Sequence, residues 1–297
     1  MKDISILIPT YNHTCVELVS TLQQQASQLP INYEIIVADD GSTIASTIEA
    51  NRAINDYANS RYIERPENTG RAAIRNYLAN QASMPWVLFI DSDMVVRRPD
   101  FLRNYVDTPD KQAVWDGGIS VGGDAKLLKH NLRYLYERAA EHQHTVERRQ
   151  QEPYRDFHTA NFMAPKQLME KYPFDLRFRH YGYEDVLFGM TLETHRIPII
   201  HIDNPLSFEV FEDNASFISK TEEGLRTLYA FRQELKAGSR LLQRVEKLAW
   251  LMPLLRLHHL LTNKLERRIL LRHPSLFIFS LYRLGYYSSI PSGFILV

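Results

Sequence analysis

Short apolar runs alternate with amphipathic stretches through the first ninety residues. Ile4 to Pro9 (ISILIP) is β-branched, apolar and ended by proline, and reads as a buried strand. Cys15 to Leu29 has helical spacing. Tyr33 to Ala38 (YEIIVA) is a second buried strand, closed by Asp39-Asp40-Gly41-Ser42. The pattern then predicts a helix over Ala45 to Ala58, a short strand at Tyr62-Ile63, a helix over Gly70 to Gln81 and a strand over Trp86 to Ile90. Nearly all-apolar strands alternating with helices predict a parallel sheet covered on both faces.

Beyond Pro99 the pattern loosens. Ala113 to Trp115 reads as a short strand, with Gly117-Gly118 and Gly122-Gly123 as turns. Lys126 to Gln151, polar and rich in Arg, Glu and His, predicts one long exposed helix. Helices are expected over Lys166 to Lys171, Glu184 to His195 and Ala215 to Leu235, with a strand over Ile197 to Ile202. A boundary near Ala237-Gly238-Ser239 divides a body, residues 1–237, from a basic, amphipathic helical tail, residues 238–297. The tail is leucine-rich, broken at Pro253, and ends in aromatic residues around Leu276 to Tyr282.

The 297 residues suffice for a substantial core, and a formal net charge of zero gives no global attraction to nucleic acid. The charge is uneven: from Arg240 onward nine Lys/Arg face Glu246 and Glu266, a local net of +7, so the body carries −7. Cys15 is the sole cysteine, which excludes an internal disulfide and a thiolate zinc site and fits a reducing compartment. The first apolar strand follows directly on Met1-Lys2-Asp3, so no signal peptide is expected. No run reaches the ~20 apolar residues of a spanning helix. The expected location is cytoplasmic. The tail has three candidate contacts: the inner face of the cell membrane, a second subunit as a homodimer, or the body itself.

Four polar segments fall just beyond strand ends or at helix starts: Pro9-Thr10-Tyr11-Asn12, Asp39-Asp40-Gly41-Ser42, Asn68-Thr69-Gly70-Arg71 and Asp91-Ser92-Asp93. Loops at one rim of a parallel sheet converge on a common crevice. Two carboxylates flanking a small residue at a strand tip suit Mg²⁺ or Mn²⁺, which prefer oxygen ligands and share them with substrate phosphates. Each segment alone also has a plain reading as a turn or helix cap. No Gly-x-Gly-x-x-Gly follows any strand, which argues against a dinucleotide oxidoreductase.

The series ISILIPTYN, IIVADDGS, ENTGRAAIRN and VLFIDSDMVV continues with Gly117-Gly118, Asn161 and Tyr181-Gly182-Tyr183-Glu184-Asp185. Over residues 3 to 214 it resembles the signature series of family 2 glycosyltransferases. The resemblance implies the α/β GT-A (Rossmann-like) fold, a mostly parallel central sheet flanked by helices, here with a helical C-terminal extension. It implies a metal-dependent, inverting transfer of a hexosyl or N-acetylhexosaminyl group from a nucleotide-diphosphate donor, most often a UDP-sugar. The acceptor would be a hydroxyl on a glycan or lipid-linked glycan, in bacterial polysaccharide or glycoconjugate synthesis.

By position, Pro9, Thr10, Tyr11 and Asn12 would line the base and ribose pocket. Asp40, with Asp39 beside it, would accept from the base ring nitrogen. Asn68, Gly70 and Arg71 would border the diphosphate. Asp93 would ligate Mn²⁺ or Mg²⁺, while Asp91, with Ser92 next to it, would hold the ribose or a metal-bound water. Asp185 would be the general base and Glu184 would orient a sugar. The resemblance implies a third metal ligand from a histidine after the acidic pair, which makes His201 a candidate; where related sequences often carry a further histidine this chain reads Pro205-Leu206-Ser207-Phe208, and Phe208 cannot coordinate, which leaves water as the alternative ligand. Two other classes stay open. One is a non-catalytic sugar-nucleotide or glycan-binding protein. The other is a nucleotidyltransferase, whose usual Gly-rich basic loop after the first strand is missing from Pro9 to Asn12.

Overall fold

The computed structural model describes residues 2–109, 111–291 and 293–294. The chain begins β1 (Ile4–Thr10), α1 (Val16–Ser27), β2 (Tyr33–Asp39), α2 (Ala45–Arg52), β3 (Ser60–Glu64), α3 (Arg71–Gln81) and β4 (Trp86–Ile90). There follow β5 (Met94–Val95), α4 (Phe101–Val106), β6 (Val114–Asp116), β7 (Ile119–Val121), α5 (Leu132–Ala140), α6 (Val146–Gln151), β8 (Asn161–Pro165) and α7 (Lys166–Lys171). Then come α8 (Glu184–Thr194), β9 (Ile199–His201), β10 (Leu206–Phe208) and α9 (Asn214–Ala230), and last the tail helices α10 (Arg240–Lys247), α11 (Met252–Arg272) and α12 (Leu276–Ser289).

A seven-stranded sheet runs β3-β2-β1-β4-β8-β6-β9, and a three-stranded sheet runs β5-β10-β7. β1 lies parallel between β2 and β4, and β3 extends the parallel set. β8 runs antiparallel to both β4 and β6, and β9 is parallel to β6. Successive side chains on a strand point to opposite faces. Leu7, Ile36, Val87 and Phe89 therefore pack on one side with Ile74 and Leu78 of α3. Ile6, Ile8, Ile35 and Leu88 pack on the other with Val19 and Leu22 of α1. Burial on both faces is why these strands are almost wholly apolar.

The chain moves outward from β1 to β2 and β3, then returns to place β4 on the other side of β1. That reversal opens a crevice beyond the carboxyl ends of β1 and β4, where ligands bind in open α/β sheets.

One expectation needs correction. The single helix over Lys126 to Gln151 is broken into α5 and α6, separated by a 3-10 turn at Glu141–Gln143. Asn131 and Thr145 cap the two segments, their side chains accepting from the backbone N–H groups of Tyr134 and Arg148. The stretch is also not wholly exposed, because Glu137 and Arg149 are buried. The expected break of the tail near Pro253 is present: α10 ends at Lys247, a 3-10 turn follows at Ala249–Leu251, and Pro253 sits in the first turn of α11, where a missing N–H costs nothing.

The tail packs against the body through α9. Phe217 and Ile218 of α9 join Leu270, Phe279 and Tyr282 in one apolar cluster. Glu222 of α9 accepts from Arg267 Nη1 at 2.5 Å and from the Tyr282 hydroxyl at 2.6 Å. Among the described residues no helix is long and apolar enough to cross a membrane.

Candidate active site

A cavity of about 640 Å³ opens at the switch point. Pro9, Thr10, Tyr11, Asn12, Asp40, Asn68, Gly70, Arg71, Asp91, Ser92 and Asp93 all line it. The four polar segments thus meet at one place, although they are separated by up to eighty residues of sequence. A second hollow, about 520 Å³ and lined by Lys2, Trp86 and Thr108 among others, lies at the opposite ends of β1 and β4 and gathers none of the candidate residues.

Loop chemistry fixes the rim. Asn12 takes a left-handed conformation, with φ of 52°. Its side-chain oxygen accepts from the backbone N–H groups of Thr43 and Ile44 at 2.8 and 3.0 Å, tying the loop after β1 to the loop after β2. Asp39 is buried behind the rim and accepts from the Ser42 N–H and the Tyr62 hydroxyl.

Asp40 accepts from Arg65 Nη1 at 2.6 Å, from the Thr69 hydroxyl at 2.9 Å, and from the Thr69 and Gly70 N–H groups at 3.1 and 2.9 Å. A carboxylate has about four lone-pair sites, and these are filled. Asp40 therefore shapes the loop carrying Asn68 to Arg71, and reading a base would require one of these donors to leave. Gly70 is needed there. Its φ is +90°, and a Cβ would lie 2.6 Å from the carbonyl oxygen of Arg179.

Behind this rim two arginines clamp two acids. Arg71 and Arg75 are one turn apart on α3 and share a face. Arg71 Nε donates to Glu184 Oε1 at 2.6 Å and its Nη2 to Asp91 Oδ2 at 3.1 Å. Arg75 Nη2 donates to Asp91 Oδ1 at 2.6 Å, and its Nη1 lies 3.5 Å from Glu184 Oε1. The side chain of Arg75 is 1% exposed and that of Glu184 3% exposed. The clamp joins the tip of β4 to the first turn of α8. Burial opposes charge on Arg71, but Glu184 and Asp91 overcome it and hold the guanidinium firmly protonated. Glu184 Oε2 is buried without a hydrogen-bond partner.

The remaining acids differ from this clamped pair. Asp93 faces the cavity and forms no ion pair within the described residues. Burial, then the neighbouring Asp91, raises its carboxyl above the usual range, against smaller opposing effects of Arg71 and His13. Asp185 follows Glu184 in the first turn of α8. Burial and then Glu184 raise it likewise, with His158 acting in the opposite sense. Asp185 is not among the residues lining the cavity; Glu184 reaches the cavity only through Arg71.

His201 departs from expectation. One of its ring nitrogens lies 3.0 Å from the Pro153 carbonyl oxygen. The other lies 2.8 Å from Arg149 Nη1 and 3.2 Å from Asp116 Oδ2. Both nitrogens are engaged, so neither has a lone pair for a cation, and His201 is withdrawn as a metal ligand. Among the described residues no three His, Cys, Asp or Glu side chains form a metal-sized group. The available donor set is Asp93, with Asp91 held by its arginines. One or two carboxylates completed by water and phosphate oxygens suit Mg²⁺ or Mn²⁺.

Arg75, one turn on from Arg71 in the third polar segment, lines the cavity as well. Several lining residues escaped the sequence reading: His13, Arg179, His180, Val210, Phe211, Glu212, Lys220 and Glu223. They come from loops and from α9 and carry no local motif. Trp115 is 4% exposed in β6 and belongs to the core.

Comparison with known proteins gives three kinds of likeness. The family model described as Glycosyl transferase family 2 matches residues 5–174. The teichoic acid poly(glycerol phosphate) polymerase of Staphylococcus epidermidis is 32% identical over 99 residues, covering 31% of this chain and 13% of that protein. Curated relatives are matched over only 13% to 39% of their own lengths. Among solved structures, the mannosyltransferase PcManGT of Pyrobaculum calidifontis, in complex with GDP-Man and Mn²⁺, aligns with a TM-score of 0.56 at 17% identity, covering 97% of this chain and 88% of that one. TarS 1-349 of S. aureus, in complex with UDP, aligns at 0.50 and 17% identity, covering 97% and 90%. These structural likenesses establish the GT-A fold.

Proposed function

The chain belongs to glycosyl transferase family 2, and on that premise we propose that its cleft transfers a sugar from a nucleotide-diphosphate donor, a UDP-sugar first among candidates, to an acceptor hydroxyl with inversion. One observation carries this reading. Arg71, which lines the cavity, bonds both Asp91 at the tip of β4 and Glu184 at the start of α8, so the acidic pair of α8 is tied to the cavity wall through one guanidinium. The plan is a catalytic body, residues 1–237, with an appended tail, residues 238–297.

The nucleoside would lie along Pro9 to Asn12 and Asn68, with the diphosphate towards Arg71. A guanidinium kept charged by its neighbours and 40% exposed can donate to phosphate oxygens. Glu184 holds Arg71 in that position. Asp185 would take the proton of the acceptor hydroxyl while that oxygen forms its bond to the anomeric carbon and the bond to the diphosphate breaks. A carboxyl lifted above its ordinary range is a better base for this task. Attack opposite the leaving group inverts the centre and needs no covalent intermediate.

A Mg²⁺ or Mn²⁺ ion held by Asp93 would neutralise the departing diphosphate. Two findings support the ion: Asp93 is without an ion pair among the described residues, and PcManGT carries Mn²⁺. The acceptor class we favour is a glycan or lipid-linked glycan, in keeping with the polymerase relative.

The test is nucleoside diphosphate release from UDP- and GDP-sugars in the presence of Mn²⁺. Slow release from at least one donor is the expected result. Donor binding without release from any donor would favour a binding protein, and neither binding nor release would overturn the reading.

A further inference from the structure

The outward face of α11 carries Leu254, Leu257, Leu260, Leu261 and Leu265, between 53% and 77% exposed. Trp250 just before the helix is 79% exposed, and Phe277 just after it 77%. The opposite face buries Leu255, His259, Glu266 and Leu270. The leucines fall on one side of a 21-residue helix about 31 Å long, a contiguous apolar strip of the kind that monomeric proteins rarely leave bare.

Charge says what covers it. Arg256, Lys264, Arg268 and Arg272 are exposed on the same helix, with Arg244 and Lys247 exposed just before it. The only acid on α11, Glu266, is buried. A second copy of this chain would press one cationic face on an identical one, where the exposed carboxylate of Glu246, between Arg244 and Lys247, is already paired with Lys236 at 2.7 Å. An anionic bilayer offers hydrocarbon for the leucines and phosphate for the arginines and lysine.

We propose that the outer face of α11 docks the protein flat on a membrane containing anionic lipids. The helix lies in the interface and does not span it. Its inner face is fixed to α9 by Arg267 and Glu222, and the neighbouring Glu223 lines the cleft. The docked helix and the cleft are therefore joined through α9. The proposal does not depend on the sugar-transfer reading.

The experiment is co-sedimentation of the full chain with phosphatidylcholine vesicles, with and without phosphatidylglycerol. Wild type pellets with the anionic vesicles, weakens as salt rises, and stays in solution with phosphatidylcholine alone. Lys264→Gln with Arg268→Gln lowers partitioning roughly 30-fold, from about one kcal/mol per basic residue at an anionic surface. Leu257→Ser with Leu261→Ser abolishes pelleting while leaving the thermal melt and donor binding unchanged, because both leucines are exposed. No pelleting of the wild type, or undiminished pelleting of the leucine variant, overturns the proposal. So does a lipid-free dimer that the leucine variant dissociates in sedimentation velocity.

Discussion

Arg75→Met tests the clamp beneath the cleft. The substitution keeps most of the side-chain volume and removes a guanidinium 1% exposed, whose Nη2 donates to Asp91 Oδ1 at 2.6 Å. Breaking a buried pair from one side costs about 3–5 kcal/mol, because it strands the partner charge. Here Arg71 still reaches both Asp91 and Glu184, which places the loss at the lower end, about 3 kcal/mol. For a chain of this size that lowers Tm by roughly 6–12 °C. Thermal unfolding followed by circular dichroism reads the loss directly. A double-mutant cycle with Asp91→Asn assigns it, since directly bonded partners couple by about 1–3 kcal/mol. A Tm drop under about 2 °C, or strict additivity of the two substitutions, would refute the clamp.

The remaining predictions concern the rim and the acids. Asp185 is lifted by burial and by Glu184, so the acid limb of the transfer rate should lie above the ordinary carboxylate range. Turnover falls as pH drops through that raised value, because the base is then protonated; an acid limb at about pH 4 would contradict the assignment. Gly70→Ala forces an L-residue into φ of +90° with its Cβ 2.6 Å from Arg179 O. It should cost about 1–3 kcal/mol and weaken donor affinity by shifting Arg71; an unchanged melt and an unchanged donor titration would remove this constraint. His201→Gln should destabilise the Asp116–Arg149 cluster yet leave the Mn²⁺ dependence of donor binding unchanged. A weakened Mn²⁺ dependence would restore His201 to the ligand set.

Much of the architecture can be read from the chain because β1, β2 and β4 are buried on both faces and so spell out continuous apolar runs. Their helices keep helical spacing for the same reason. The polar stretch over residues 126–151 misleads because its two interruptions are made by ordinary capping residues, Asn131 and Thr145, amid other polar side chains. Arg149 is buried there only because Asp116 and His201 lie beside it in space. The four rim segments are legible because each follows a strand or opens a helix at one edge of the sheet. What no local pattern reveals is which acids are free. Asp91 and Asp93 look equivalent in sequence, yet Asp91 is held by two arginines and Asp93 by none. Likewise, Lys220 and Glu223 reach the cleft from a helix more than a hundred residues away.

One measurement bears most directly on the claim that acids from β4 and α8 serve a single cleft. It is calorimetric titration of a UDP-sugar with and without Mn²⁺, run beside turnover, for wild type, Asp93→Ala and Asp185→Asn. The account predicts that Asp93→Ala loses the Mn²⁺-dependent part of binding. It predicts that Asp185→Asn binds as wild type while transfer falls about 10²–10⁴-fold. Wild-type binding and turnover in both variants would contradict it.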